Sequence, residues 1–340
     1  MQSSLQIIKS DAPEKWQKIL SDLITEPKEL VEILGLDSAT RPASLSAMKQ
    51  FPLKVPKPFV SRMRRQDWDD PLLRQVWPAV EETRDDPALT QDPLKESAYL
   101  REPGLLHKYQ GRVLLTAAPH CGIHCRYCFR RHFDYAANTP GRTGWQAALD
   151  YIAGDDSISE VILSGGDPLA LGDEMLGWLI ARLDAIPHLQ TLRVHSRMPI
   201  VIPQRITRQL LCLLAGSRLK PVMVVHCNHA AEIDQDVANT LSTMRANGIT
   251  LLNQSIILKG VNDSSPVLKS LSEALFSHDV LPYYLHLPDA VRGTGHFRVD
   301  ARQARAIVGE LTAQLPGYLV PRLVQEIPGE LSKTGLPALT

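Results

Sequence analysis

Arg112-Val113-Leu114-Leu115-Thr116-Ala117-Ala118-Pro119-His120-Cys121-Gly122-Ile123-His124-Cys125-Arg126-Tyr127-Cys128 joins an apolar run to a loop carrying three cysteines. The cysteines have the spacing C-x3-C-x-aromatic-C. Iron-sulfur clusters are held by thiolates, normally four on a 4Fe-4S cubane, so a compact set of three leaves one iron open to a small molecule. The competing reading is a zinc site completed by His120, His124 or His132, although structural zinc usually draws a second ligand pair from elsewhere in a chain. The remaining cysteines, Cys212 and Cys227, sit singly in apolar runs, the ordinary setting of a buried thiol.

Composition bounds the partners. Lysine plus arginine and aspartate plus glutamate both number 37, so no net basic field exists to attract nucleic acid or an anionic membrane, and a small-molecule substrate is favoured. The first residues, MQSSLQIIKSDAPEKW, lack a long apolar segment and a cleavage pattern, and no stretch approaches the length of a membrane span. The expected location is a reducing cytoplasm, where unpaired cysteines persist.

Outward from the opening stretch the chain changes character twice. Residues 1–95 read as a helical cap: Trp16 to Leu34 is periodic, Pro27 divides it, and the prolines and tryptophans of 52–93 suggest short helices joined by turns. Residues 96–315 alternate strand and helix. Candidate strands are Val113 to Ala117, Val161 to Ser164, Leu192 to His195, Val222 to His226, Leu251 to Leu258 and Tyr283 to His286. Helices are expected around Trp145, Met175, Thr207, Val237, Leu271 and Ala306. Such alternation implies a parallel sheet with right-handed crossovers, with the cysteine loop at the C-terminal ends of the strands. Residues 316–340 form a short C-terminal segment. Polar groups gather at strand ends: Ser164-Gly165-Gly166-Asp167, His195-Ser196-Arg197, His226 and Asn228, and Asn253-Gln254-Ser255. Any one suits a buried hydrogen-bonded role, whereas their repetition favours a ligand pocket.

The cysteine spacing, with Tyr127 before the last cysteine, resembles the radical S-adenosylmethionine (SAM) superfamily. That resemblance implies a partial (β/α)6 TIM-like barrel with SAM on the open iron. The segments CRYCFRR, SGGDPL, HSRMPIVIPQRIT, CNHAAEI, NQSIILKGVNDS, PYYLHLPDAVRGTGHFR and VQEIPGELSK, in this order over about residues 108–335, are similar to the lysine 2,3-aminomutase family. The short C-terminus resembles the bacterial branch that supplies β-lysine for modification of elongation factor P.

Residue by residue, the match implies Cys121, Cys125 and Cys128 as cluster ligands and Lys333 as the lysine that carries pyridoxal 5'-phosphate. It implies Lys108, Tyr109 and Arg112 as cofactor-phosphate contacts. Ser164, Gly165, Gly166, Ser196 and Gln254 are expected among the cofactor-binding residues, with Asp167 standing where the superfamily has glutamate. Arg130 matches the residue that binds the substrate carboxylate, and Asp289 and Glu326 match two acids that hold its distal ammonium. Glu330, Leu331 and Ser332 depart from the family's glycine run before the lysine, and Glu326 is one methylene longer than the family's aspartate. Ser264 stands where a zinc-binding cysteine occurs, so no zinc is expected. The implied reaction is migration of the lysine α-amino group from C2 to C3, giving β-lysine, expected as the R isomer. The electron donor would be of the flavodoxin or ferredoxin kind. The link to elongation factor P and its ligase is functional, with no motif for direct contact. An aminomutase acting on another amino acid, such as glutamate, would need a cationic group facing the distal end in place of Asp289 and Glu326. A non-catalytic zinc-binding protein would leave Lys333 unmodified.

Overall fold

A computed structural model describes residues 15–139 and 141–339. The first residues, expected to lack a long apolar segment and a cleavage pattern, therefore lie mainly outside those described. The fold is mixed α/β, built on one ten-stranded sheet in sequence order. Its strands are β1 (Leu100–Glu102), β2 (Leu105–Tyr109), β3 (Arg112–Ala118), β4 (Glu160–Gly165), β5 (Thr191–Ser196), β6 (Lys220–Val225), β7 (Thr250–Ile256), β8 (Leu281–His286), β9 (Arg322–Gln325) and β10 (Thr334–Gly335). From β3 to β9 every neighbouring pair is parallel, with registers such as Val113↔Val161, Val194↔Met223 and Leu285↔Leu323. The outer pairs β1–β2, β2–β3 and β9–β10 are antiparallel.

Each parallel step is made by a helix, because parallel strands need a long crossover to return to the same edge. The helices are Gly141–Ala153, Asp173–Asp184, Arg208–Ala215, Gln235–Ala246, Ser265–Phe276 and Ala301–Gln314, each where periodicity predicts one. Side-chain caps set the starts of two of them: Thr207 Oγ1 accepts from Leu210 N–H at 3.1 Å and Asp234 Oδ1 from Val237 N–H at 2.9 Å. Pro27 opens the helix Pro27–Leu34, where its missing N–H costs nothing, which is why it divides the N-terminal pattern.

Four strands lie outside the sequence expectation. β1 and β2 form an antiparallel extension whose turn into β3 uses Gly111 at φ 74°, and β9 and β10 add the other edge. β7 stops at Ile256 rather than at Leu258. Leu258 N–H instead donates to Asn262 Oδ1 at 2.7 Å, turning the chain away. One apolar cluster extends from Trp16, Ile24 and Leu30 through Val161 and Val194 to Leu275, so the N-terminal helices and the sheet share a core. Among the described residues no helix is long and apolar enough to cross a membrane.

Candidate active site

The strand ends converge as the alternation predicts. The cysteine loop leaves the end of β3, and β4 delivers Ser164 and Gly165 beside it. Gly165 has φ +110°, and a Cβ there would stand 3.0 Å from Thr116 Cα. A Cβ on Gly166 would lie 2.8 Å from Ala118 O and closer still to the His120 carbonyl. These glycines therefore admit the main chain of the cysteine loop itself: Gly166 N–H donates to Ala118 O at 2.8 Å and Asp167 N–H to His120 O at 2.9 Å. The buried Asp167 carboxylate accepts from Ser196 Oγ at 2.6 Å and from Arg197 N–H at 2.8 Å, tying the end of β5 to that of β4. Both the Asp167 carboxylate and the Ser196 hydroxyl are thus engaged inside the protein.

The three cysteines are free thiols, each half-buried. Burial pushes the Cys128 thiol up to about 11 and raises Cys121 well above its usual range, with the neighbouring cysteines adding to the effect. Arg197 Nη1 donates to Cys125 Sγ at 2.6 Å, and Arg197 is held by Gln75 Oε1 at 2.7 Å and Glu232 Oε2 at 3.1 Å. On the far side of the loop Arg126 and Arg131 share the buried Glu82 carboxylate, at 2.5 Å and 2.7 Å. Among the described residues no group of three or more His, Cys, Asp and Glu is arranged around a single metal ion. Three thiols carried on one loop are the donor type that an iron-sulfur cluster takes, each on a separate iron. Positive metal charge would also oppose the burial that raises the Cys121 and Cys128 thiols.

A second group assembles where the sheet curls. Glu326, just after β9, accepts from Lys333 Nζ at 2.6 Å and from Lys108 Nζ at 2.6 Å, and it also accepts from the Tyr109 hydroxyl. Lys108 and Tyr109 lie on β2 near the opposite sheet edge, so these contacts link the two edges. Arg112 stands 4.8 Å over the Tyr109 ring. Burial opposes ionisation of Glu326, but Lys333, Lys108 and Tyr109 outweigh it and hold the carboxyl at about 2. Asp289 differs: burial pushes it up to about 7, with Glu326 and Glu96 adding to the rise and Lys333 and Lys108 opposing it. Lys333 lies 5.9 Å from the Tyr284 ring centroid.

Four buried polar atoms at or near the strand ends have no hydrogen-bond partner among the described residues: His195 Nε2, His226 Nε2, His286 Nε2 and Gln254 Oε1. They come from β5, the end of β6, β8 and β7. Burial keeps the imidazoles neutral, His226 at about 4 and the other two pulled well below their usual range. Unsatisfied buried polar groups are rare in folded chains, and several facing one region fit a polar organic ligand. Of the sequence-predicted residues, Lys108, Tyr109, Glu326 and Lys333 touch directly, whereas Arg130 reaches Ser164 and Gly165 and pairs with Glu96. Sequence reading missed Glu82, Glu96 and Glu232. Each is an ordinary glutamate in a charged or loop segment, and only its distant arginine partner distinguishes it.

No family model matches the chain. A structural likeness to a radical SAM methyltransferase from Kitasatospora setae, with cobalamin and a 4Fe-4S cluster bound, has a TM-score of 0.36 and 14% identity. It covers 52% of this chain and 36% of that one. An L-lysine 2,3-aminomutase of Escherichia coli strain K12 is 48% identical over 95% of this chain and 94% of its own length. The L-lysine 2,3-aminomutase of Haemophilus influenzae is 47% identical over 94% and 95%. At that identity over nearly the whole of both chains, this protein belongs to the lysine 2,3-aminomutase family, a family of isomerases.

Proposed function

We propose that this chain converts L-lysine to β-lysine by moving the amino group from C2 to C3. The observation that carries the reading is the meeting of Lys333, Lys108, Tyr109 and Glu326 near Asp289, beside four unpartnered polar atoms. When bound, a 4Fe-4S cluster with SAM supplies one-electron hydrogen abstraction at C3 and its return, and pyridoxal 5'-phosphate supplies a conjugated seat for the migrating amine. Cys121, Cys125 and Cys128 would hold the cluster. Ser164, Gly165, Gly166, Ser196 and Gln254 would line the SAM region. Lys333 would carry pyridoxal 5'-phosphate, with Lys108, Tyr109 and Arg112 at its phosphate. Once Lys333 and Lys108 turn to the cofactor, Glu326 loses two cationic partners and, with Asp289, offers paired carboxylates to the lysine ε-ammonium. Arg130 would take the α-carboxylate.

The contacts between the two sheet edges support a partial (β/α)6 barrel over 96–315, preceded by a helical cap at 1–95 and followed by the segment 316–340 carrying Lys333. We place the protein in the cytoplasm, reduced by a flavodoxin- or ferredoxin-like donor, with the R isomer of β-lysine destined for elongation factor P. The likeness to the Escherichia coli and Haemophilus influenzae relatives supports this branch.

Anaerobic reconstitution with iron, sulfide and pyridoxal 5'-phosphate, then reduction and addition of SAM and lysine, is expected to yield β-lysine. Lys333→Ala is expected to abolish both turnover and the visible absorption of the bound cofactor. Rearrangement of glutamate in place of lysine would overturn the substrate assignment.

A further inference from the structure

Arg130 already holds a carboxylate. Its Nε donates to Glu96 Oε2 at 2.9 Å and its Nη2 to Glu96 Oε1 at 2.5 Å, a two-point pairing along one side of the guanidinium. The arginine side chain is 5% exposed and the glutamate 16%, so the pair is largely shielded from water. Glu96 is not needed to aim the guanidinium. Arg130 lies over Phe129 at 5.0 Å and Phe133 at 5.5 Å, and its Nη1 reaches Ser164 Oγ at 3.3 Å and Gly165 O at 3.4 Å. What Glu96 supplies is a counter-charge, without which a buried arginine is costly.

The surroundings give Glu96 room to leave. Glu96 and Arg130 both line a cavity of about 330 Å³ whose wall includes Gln91, Ser97 and His132. The backbone beneath Glu96 is anchored by its N–H to Asp92 Oδ1 at 3.3 Å, so the side chain can swing on a fixed base. The same turn reaches the Lys333 segment, where Gly329 N–H donates to the Tyr99 hydroxyl at 2.7 Å.

We propose that Glu96 is a resident carboxylate which the substrate's α-carboxylate displaces from Arg130, and that this exchange makes Glu96 a specificity-determining residue. The proposal rests on the reading of Arg130 as the substrate-carboxylate group. A ligand bearing a carboxylate trades one ion pair for another, and Glu96 moves into the adjoining cavity. A ligand without one leaves Glu96 and Arg130 paired. Two carboxylates sharing one shielded guanidinium repel each other, so the charge on Glu96 weakens binding of every α-carboxylate ligand.

Calorimetric titration of the pyridoxal phosphate-loaded full chain with lysine and with lysinamide tests this. Glu96→Gln is expected to tighten lysine about tenfold and to change lysinamide less than about twofold. Glu96→Asp keeps the charge and is expected to stay near the unmodified protein. Lysine binding that is unchanged or weaker in Glu96→Gln overturns the proposal, as does Glu96→Asp behaving like Glu96→Gln. Arg130→Gln separates the two layers. If it lowers lysine affinity while Glu96→Gln fails to raise it, the exchange alone is wrong. If Arg130→Gln leaves the lysine-to-lysinamide ratio unchanged, the reading of Arg130 falls and the exchange falls with it.

Discussion

Asp289 and Glu326 feel the same cations, yet burial and neighbours drive them in opposite directions. Glu326 sits against Lys108 and Lys333 and stays ionised down to about 2, below its ordinary 4.5. Its contribution to stability is therefore present above pH 4.5 and lost as pH falls through about 2. Asp289 rises from 3.8 to about 7, so the folded chain binds the extra proton, and stability falls as pH rises across that window. Asp289→Asn is accordingly expected to raise the Tm of the substrate-free protein at pH 8 more than at pH 5. Because only the ionised acid attracts an ammonium, lysine affinity should strengthen as pH rises through about 7 and lose that dependence in Asp289→Asn. Titration calorimetry across pH 6 to 8 checks it, and an identical slope in the variant would remove Asp289 from the distal end. Asp289 was legible as a candidate only through the family resemblance of its segment. Its protonation was not, because burial and the opposing charges of Lys333 and Glu326 exist only in the fold.

At the scale of elements, the joint between β3 and β4 controls the cysteine loop. Gly165 at φ +110° and Gly166 against the Ala118 and His120 carbonyls leave no space for a side chain. Adding one methyl at Gly166 must push the cysteine loop away, because the atoms it meets are backbone. Gly166→Ala is expected to cost about 1–3 kcal/mol, read as a lower urea midpoint, together with less iron and sulfide retained after reconstitution. A midpoint equal to that of the unmodified protein would show that the loop yields freely. The period of the central strands and helices was readable because each repeats a local pattern of burial. β1, β2, β9 and β10 escaped it: three have two to four residues, and β2 is set by its hairpin with β3.

Across the whole molecule, the N-terminal helices complete the core. Trp16 is 3% exposed and packs its ring 4.3 Å from the Arg205 guanidinium, while Ile24, Leu30, Leu53 and Val55 are fully buried. Deleting residues 1–56 strips these side chains from the cluster shared with the sheet. The shortened chain is expected to lose its cooperative melt and to aggregate in size-exclusion chromatography. A monodisperse product with an unchanged Tm would make the N-terminal helices a separate unit. Sequence alone determined the order of the six central strands and their helices, the loop bearing Cys121, Cys125 and Cys128, and the residue types available for chemistry, since these depend on spacings of a few positions. Tertiary structure decided the pairings. Lys108 meets Glu326 across 218 positions, and Arg130 meets Glu96 across 34. Ion pairing and desolvation act through space, so only the folded sheet reveals which cation each carboxylate holds.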